Sequence, residues 1–181
     1  MRFAIAIAAL CAACLGAAQA QEWSPPDRSF VVELPTGWTQ EQELAHSTIL
    51  RVSAPQEPVR ICSVMRELHD SVGLPQSEAN ALVAEMSAAD LVSAHPENNA
   101  RVLSFANEMT GGTQVASGAF ENDAPAGRVH IVTRRFIVAR YYAAFEYVLA
   151  CAAVPPMDQS TVDTMNAFVA SLRFTQIEAT P

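Results

Sequence analysis

Arginines in one long apolar segment are the side chains with the clearest capacity for chemistry in this 181-residue chain. Arg134 and Arg135 interrupt the segment RVHIVTRRFIVAR, which begins at Arg128. Because side chains alternate along a strand, Arg128 and Arg134 are expected on the same face. Guanidinium groups bind carboxylates and phosphates through paired hydrogen bonds. With Tyr141 and Tyr142 nearby, these arginines form a candidate face for an anionic ligand or an acidic partner, unless they pair with the chain's own acidic residues.

Motifs for catalysis and for cofactor or metal binding are absent from the sequence. The four histidines have none of the close spacings of metal sites, and Glu67, His69 and Asp70 are better interpreted as part of an exposed loop. No Gly-x-Ser-x-Gly motif or glycine-rich phosphate loop occurs. We therefore predict no catalytic residue, metal or cofactor. A hydrolase with a dispersed Ser/His/Asp triad is the remaining enzymatic alternative, because triad members need not be neighbours in sequence.

The charge of the chain restricts its partners. All 11 basic residues are arginines, and 19 acidic residues bring the formal net charge to −8. Nucleic acids and anionic lipid surfaces attract basic proteins, so neither is an expected partner. An envelope protein or complex is the expected partner.

Residues 1–20 have the pattern of a signal peptide. Arg2 precedes an apolar run, and the triplet AQA stands before Gln21, where cleavage is expected. The run is shorter than the roughly 20 residues of a spanning helix, and no later segment is apolar for long enough. Cys14 follows a sequence that resembles a damaged lipobox, and lipid anchoring there is not expected because the leucine is displaced by one position. These features predict a periplasmic or secreted protein without a transmembrane segment.

Two cysteines, Cys62 and Cys151, remain after the predicted cleavage. In an exported chain such a pair predicts a structural disulfide, and the alternative is two buried thiols. The long loop that the bridge would close corresponds to roughly 4 to 5 kcal/mol in the chain-entropy description.

Hydrophobic periodicity predicts six or seven mostly antiparallel strands and two helices. The first helix is expected from residue 77 to about 95, with Leu82, Met86 and Ala89 on its apolar face, beside Val83 and Val92. The second is expected to begin at residues 158–160, with Ser160 and Asp163 as a capping box. The strands are expected at about 28–34, 47–55, 59–68, 100–109, 114–120, 128–140 and 141–154.

Two short motifs link these elements to a known family. The first strand ends in LPTGW, with Pro35, Gly37 and Trp38, and the last helix ends in FVASLRF at residues 168–174. In both the motifs and the order of elements, the chain resembles the PsbP-like family. The resemblance implies an α+β fold, an α/β/α sandwich around an antiparallel sheet, in which Trp38 packs as a core residue. The resemblance covers nearly the whole mature chain. We expect a single domain at 28–175, after a polar, proline-rich and extended lead-in at 21–27 and before a flexible tail at 176–181.

The PsbP-like resemblance also bears on function. Members of that family mostly act as accessory or binding proteins, and they share no active site that could be transferred to this sequence. The resemblance therefore implies a non-enzymatic accessory or protein-interaction module. A small-ligand or anion-binding protein that uses the arginine face is the second interpretation.

Overall fold

A computed structural model describes residues 21–42, 44, 47–55, 59–70, 74–92, 99–125, 127–140 and 143–175. The predicted signal peptide with Cys14 and the predicted tail lie outside the described residues. The elements of the described part are β1 (Gln21–Trp23), β2 (Phe30–Leu34), β3 (Thr39–Gln40), β4 (Thr48–Ser53), β5 (Arg60–Asp70), α1 (Gln76–Ala84), α2 (Ala88–Val92), β6 (Arg101–Thr110), β7 (Thr113–Ala124), β8 (Gly127–Arg140), β9 (Ala143–Ala153), α3 (Gln159–Ala170) and β10 (Arg173–Phe174).

The strands form two antiparallel sheets. The large sheet has the order β3-β4-β5-β9-β8-β7-β6, and the small sheet has the order β1-β2-β10. The predicted α+β fold around a six- or seven-stranded antiparallel sheet is therefore confirmed. Within the predicted lead-in, β1 is a short strand that pairs with β2.

Three successive hairpins build the half of the large sheet that contains β6 to β9. In the hairpin of β8 and β9, Arg140 pairs with Ala143. The hairpin of β6 and β7 turns through Gly111 and Gly112, whose φ angles are +53° and +82°. Two successive positive φ angles are typical of the type I′ turn, which matches the twist of the strands and favours glycine.

One face of the large sheet, here named the α3 face, is covered by α3 and by the small sheet. At its centre, the ring of Phe30 from β2 meets the rings of Phe136 and Tyr147 edge-on, with centroids 5.2 and 5.0 Å apart. All three side chains are fully buried, and Met165 and Phe168 of α3 join the same cluster. Because edge-to-face pairs add to the energy of burial, this cluster joins the two sheets and α3 into one core.

A disulfide joins Cys62 of β5 to Cys151 of β9. The two residues are direct partners in the register of these strands, and both are fully buried. The predicted bridge is confirmed. Disulfides of this kind are typical of proteins that fold in an oxidising compartment.

The LPTGW motif forms a turn at the border of the α3-face core. The Trp38 amide donates to the Pro35 carbonyl at 3.2 Å, and Gly37 has a φ of +78°, as expected of glycine in a type II turn. Trp38 packs against the core cluster but is only partly buried. Its side chain therefore closes the edge of the core and does not occupy its centre.

The opposite face, here named the α1 face, is covered only in part by the residues that the structure describes. Ala79 and Val83 of α1 pack against Ala116, Ile137 and Ala144 of the sheet. The predicted apolar helix face was wrong at Leu82, which points outward and is 42% exposed, whereas Val83, predicted beside it, is buried.

The single helix predicted from residue 77 to about 95 was also wrong, because the chain forms two short helices, α1 and α2. The side-chain amide of Asn107 donates to the carbonyls of Ala84 and Met86 at 3.1 and 3.0 Å. At the start of α2, the Asp90 carboxylate accepts from the amide and the hydroxyl of Ser87. These side chains take over hydrogen bonds that a continuous helix would make within its backbone. Residues 93–98 lie outside the described part.

The cap of α3 also differs from the prediction. Asp158 is the N-cap, and its carboxylate accepts from the amide of Thr161 at 2.8 Å and from its hydroxyl at 2.6 Å. Ser160 lies inside the helix, so the predicted capping box of Ser160 and Asp163 was wrong. No helix in the described ranges is both long enough and apolar enough to span a membrane.

Candidate functional site

The predicted arginines lie on both faces of the large sheet. Arg128 and Arg134 point to the α3 face, while Arg135, the next residue, points to the α1 face because side chains alternate along β8. The structure therefore does not bring the three guanidinium groups together. Tyr141 and Tyr142 lie outside the described residues.

Each of these arginines has a carboxylate partner. Arg128 Nε lies 3.1 Å from Asp123 Oδ1, and Arg134 Nη2 lies 3.1 Å from Glu108 Oε1. Arg135 Nε bonds to Glu146 Oε1. An anion at any of them would compete with a carboxylate already in place. Anion binding by the arginine face stays a prediction.

The first candidate site is a cleft on the α1 face, beside α2. Its volume is about 240 Å³. This is slightly below the range of about 300 to 1,000 Å³ that is usual for drug-sized ligands. The cleft is lined by Met65, Glu67, Asp90, Leu91, Phe120, Ile131, Thr133, Arg135, Glu146, Val148 and Ala150. Most of these side chains are apolar, so the site has the composition of a binding cleft for a small molecule.

A group of charged side chains stands at one side of this cleft. The Arg135 guanidinium bonds to Glu146 and, at 3.4 Å, to the Asp90 carbonyl. His69 Nδ1 lies 3.8 Å from the other oxygen of Glu146. Hydrogen bonds from Ser87, and to a lesser extent the charge of Arg135, hold the pKa of Asp90 below its usual value. Asp90 therefore stays ionised at neutral pH.

Gly118 of β7 is the residue that lets α2 approach the sheet. A Cβ atom at this position would lie 2.7 Å from Cδ1 of Leu91 and 2.9 Å from the carbonyl oxygen of Ser104. Leu91 and Asp90 of α2 form one side of the cleft. Gly118 was not predicted as a site residue, although a glycine inside a strand is a signal of close approach.

The outer edge of β6 is a second candidate site. This ten-residue strand is the last of the large sheet and pairs with β7 alone among the described residues. Its exposed apolar side chains are Val102, Leu103 and Met109, which are 39%, 42% and 59% exposed. At the opposite edge of the sheet, β3 has only two residues. Within the part of the chain that the structure describes, the large sheet therefore presents one long open edge.

Metal binding finds no support in the described ranges. They hold no group of three or more His, Cys, Asp and Glu side chains with the geometry of a metal site.

This architecture defines a PsbP-like α+β fold: a seven-stranded antiparallel sheet with α3 and a small sheet on one face and α1 and α2 on the other. No family model and no curated protein matches the sequence.

Two solved structures show the fold. The chain is similar to cyanobacterial PsbP (CyanoP) from Synechocystis sp. PCC 6803, with a TM-score of 0.60 and 11% identity, over 90% of this chain and 96% of that one. It is also similar to LpqN of Mycobacterium tuberculosis, a protein involved in cell envelope biogenesis. That TM-score is 0.58 at 10% identity, over 87% of this chain and 91% of that one. The predicted PsbP-like fold is confirmed. Sequence identities this low are evidence for a shared fold and not for a shared function.

Proposed function

We propose that this chain is an exported, non-enzymatic accessory protein that binds a partner protein of the cell envelope along the outer edge of β6. The observation that carries the proposal is the open edge itself, with ten residues and three exposed apolar side chains. The partner segment is an extended peptide that adds an eighth strand to the sheet.

The chemistry of an edge strand supports this mode of binding. An unpaired edge offers a row of backbone amides and carbonyls, and proteins usually protect it with charged residues, proline or a short strand. The sequence of β6, RVLSFANEMT, has two charged residues and no proline. An irregularity in the register lies between Val102 and Ser104, so the regular part of the edge runs from Ser104 to Thr110. Main-chain pairing along that stretch would supply affinity, and the exposed side chains would supply specificity.

The proposed location rests on three observations. Residues 1–20 have the pattern of a signal peptide, and the buried Cys62–Cys151 disulfide suits an oxidising compartment. LpqN, which shares the fold, is involved in cell envelope biogenesis. Together they support a periplasmic or secreted protein.

Site-specific crosslinking tests the proposed interface. A photoreactive benzophenone amino acid at Leu103 in the full chain, expressed in intact cells, is expected to give a crosslinked adduct with one envelope protein. The same amino acid at Thr39 of β3, which is exposed at the opposite edge, is the matched control and is expected to give none. An equal adduct from both edges would contradict binding along β6.

Proline at Met109 separates main-chain pairing from side-chain contact. In a two-residue hairpin, the pair that flanks the turn, here Thr110 and Thr113, exchanges hydrogen bonds. The amide of Met109 therefore points away from β7, where proline is tolerated. Met109→Pro is expected to abolish the Leu103 adduct, while Met109→Ala, which keeps the amide, is expected to retain it. An adduct that survives Met109→Pro in a folded protein would show that no strand pairs there.

A further inference from the structure

We propose that the cleft on the α1 face binds a small organic cation with an apolar body, of the alkylammonium class. The site is separate from the β6 edge, and the proposal does not depend on the proposed function. Its support comes from the shape of the cleft, from the balance of charge around it and from the state of its one arginine.

The apolar part of the cleft determines that the body of a ligand should be apolar. Met65, Phe120, Ile131 and Val148 line it from four different strands. Thr133 also faces the cleft, but its hydroxyl donates to the carbonyl of Leu149 at 2.9 Å. Since its proton is already engaged in the sheet, Thr133 can offer a ligand only an acceptor oxygen. The interior of the cleft therefore favours a short alkyl chain or a small ring over a polar metabolite.

The charged part of the cleft determines the sign of the charge that a ligand would carry. Three acidic residues line it, Glu67, Asp90 and Glu146, against one basic residue, Arg135. The surplus of negative charge raises the local concentration of cations and repels anions. A ligand whose apolar body fills the cleft would carry its positive charge beside these carboxylates.

Arg135 does not reverse this preference, because its guanidinium is already engaged. It bonds to the Glu146 carboxylate and to the Asp90 carbonyl. An anion would have to replace Glu146 and would then face the remaining carboxylates. Glu67 is exposed and forms no ion pair with another residue of the described ranges. Its carboxylate is thus the acceptor best placed for the ligand's ammonium group.

Methionine-methyl NMR on the mature protein tests the proposal with three probes of equal length. These are n-octylammonium and octanoate, each kept below its critical micelle concentration, and octan-1-ol, kept below its solubility limit. The reporter is the methyl group of Met65 in the cleft, and the buried Met165 on the α3 face is the internal control. We expect a saturable shift of the Met65 signal with octylammonium, a weaker response with octanol, and none with octanoate. Binding of octanoate as tight as that of octylammonium, or an unmoved Met65 signal with millimolar octylammonium, would overturn the proposal.

Charge-neutral variants locate the cation. Glu67→Gln is expected to weaken octylammonium binding about 2- to 5-fold, as for an exposed ion pair. Glu146→Gln releases Arg135 and is expected to introduce binding of octanoate. Glu108→Gln makes the same change of charge in the Glu108–Arg134 pair on the α3 face, and it is expected to leave both affinities unchanged. If Glu108→Gln weakens octylammonium binding as much as Glu67→Gln does, the attraction comes from the net charge of the protein, and the proposed site is wrong.

Discussion

Tyr147 and Asp27 lie 120 residues apart in the sequence and are joined by a hydrogen bond of 3.0 Å, in which the tyrosine hydroxyl donates to the carboxylate. The same carboxylate accepts from the hydroxyl of Ser29 at 3.0 Å, and it lies 3.6 Å from Nε of Arg140. Asp27 precedes β2, while Tyr147 lies in β9 at the centre of the large sheet. This polar group therefore fastens the connection between β1 and β2 of the small sheet to the core.

Tyr147→Phe is expected to lower the free energy of unfolding by about 1 kcal/mol, the usual net value of one hydrogen bond. The ring and its aromatic contacts remain, so the loss reports on the hydroxyl alone. Urea denaturation at pH 7 measures it. A double-mutant cycle with Asp27→Asn should show that the two changes are coupled, and full additivity would contradict a direct interaction.

Ionisation of the same hydroxyl is expected to make the protein less stable at alkaline pH. Burial, with a smaller contribution from the charge of Asp27, raises the pKa of Tyr147 above its usual value near 10. Because the folded state holds this proton more tightly than the unfolded state, the contribution is complete below about pH 10 and is lost as the pH rises through the folded pKa. Tyr147→Phe is expected to lose less stability between pH 9 and pH 11 than the parent protein. An identical alkaline loss in both proteins would contradict this assignment.

Replacing both Cys62 and Cys151 with alanine is expected to lower the free energy of unfolding by about 4 kcal/mol. The bridge spans a sequence separation of 89 residues, and a closed loop of that size strongly restricts the unfolded chain. Urea denaturation of the variant and of the oxidised parent protein measures the difference. A difference below about 1 kcal/mol would contradict the loop-entropy explanation.

Gly118→Ala is expected to destabilise the protein by about 1 to 3 kcal/mol, the usual cost of overpacking. The added methyl group would meet both Leu91 and the Ser104 carbonyl at less than 3 Å. Leu91→Ala in the same chain should restore only part of the stability, because the backbone contact with Ser104 remains. Thermal unfolding of the parent protein, of Gly118→Ala and of the double variant tests this order. Full recovery in the double variant would show that the Ser104 backbone moves away at no cost in stability.

The cap of α3 is expected to make the stability of the protein depend on pH in the acidic range. Hydrogen bonds from the hydroxyl and the amide of Thr161 hold the pKa of Asp158 below its usual value of 3.8. Since the folded state releases this proton more readily, the contribution is present above about pH 3.8 and is lost as the pH falls through the folded pKa. Asp158→Asn keeps an acceptor without the charge, so its urea midpoint should change less between pH 6 and pH 3 than that of the parent protein. Equal changes would show that another group controls the acid response.

Sequence periodicity predicted the strands better than the helices, for a physical reason. Strands such as β9 carry long runs of apolar residues, which only a sheet covered on both faces can bury. The break between α1 and α2 depends on the amide of Asn107, which reaches the helix from β6, 21 residues further along the chain than Met86. A hydrogen-bond donor so far away in the sequence does not change the local pattern of apolar residues from which the helix was predicted.

The binding sites were less predictable than the fold. Arg134 and Arg135 are neighbours in sequence, and a strand necessarily turns them to opposite faces. Which carboxylate each would meet depends on the register of β8 with β9 and on the position of β6. The cleft is less predictable still, because α2 forms one side of it and Gly118 lies in β7, some thirty residues further along the chain.

Composition, periodicity and short motifs thus determined the class of this protein: an acidic, disulfide-bonded α+β domain with a signal-like beginning. Those properties depend on local chemistry, such as the alternation of side chains, the turn residues and the pairing of two cysteines. The tertiary structure decided which face of the sheet stays partly uncovered and which edge stays open. It also decided that the cleft is acidic although an arginine lines it. These outcomes depend on contacts between distant segments, whose geometry exists only after the strands have paired.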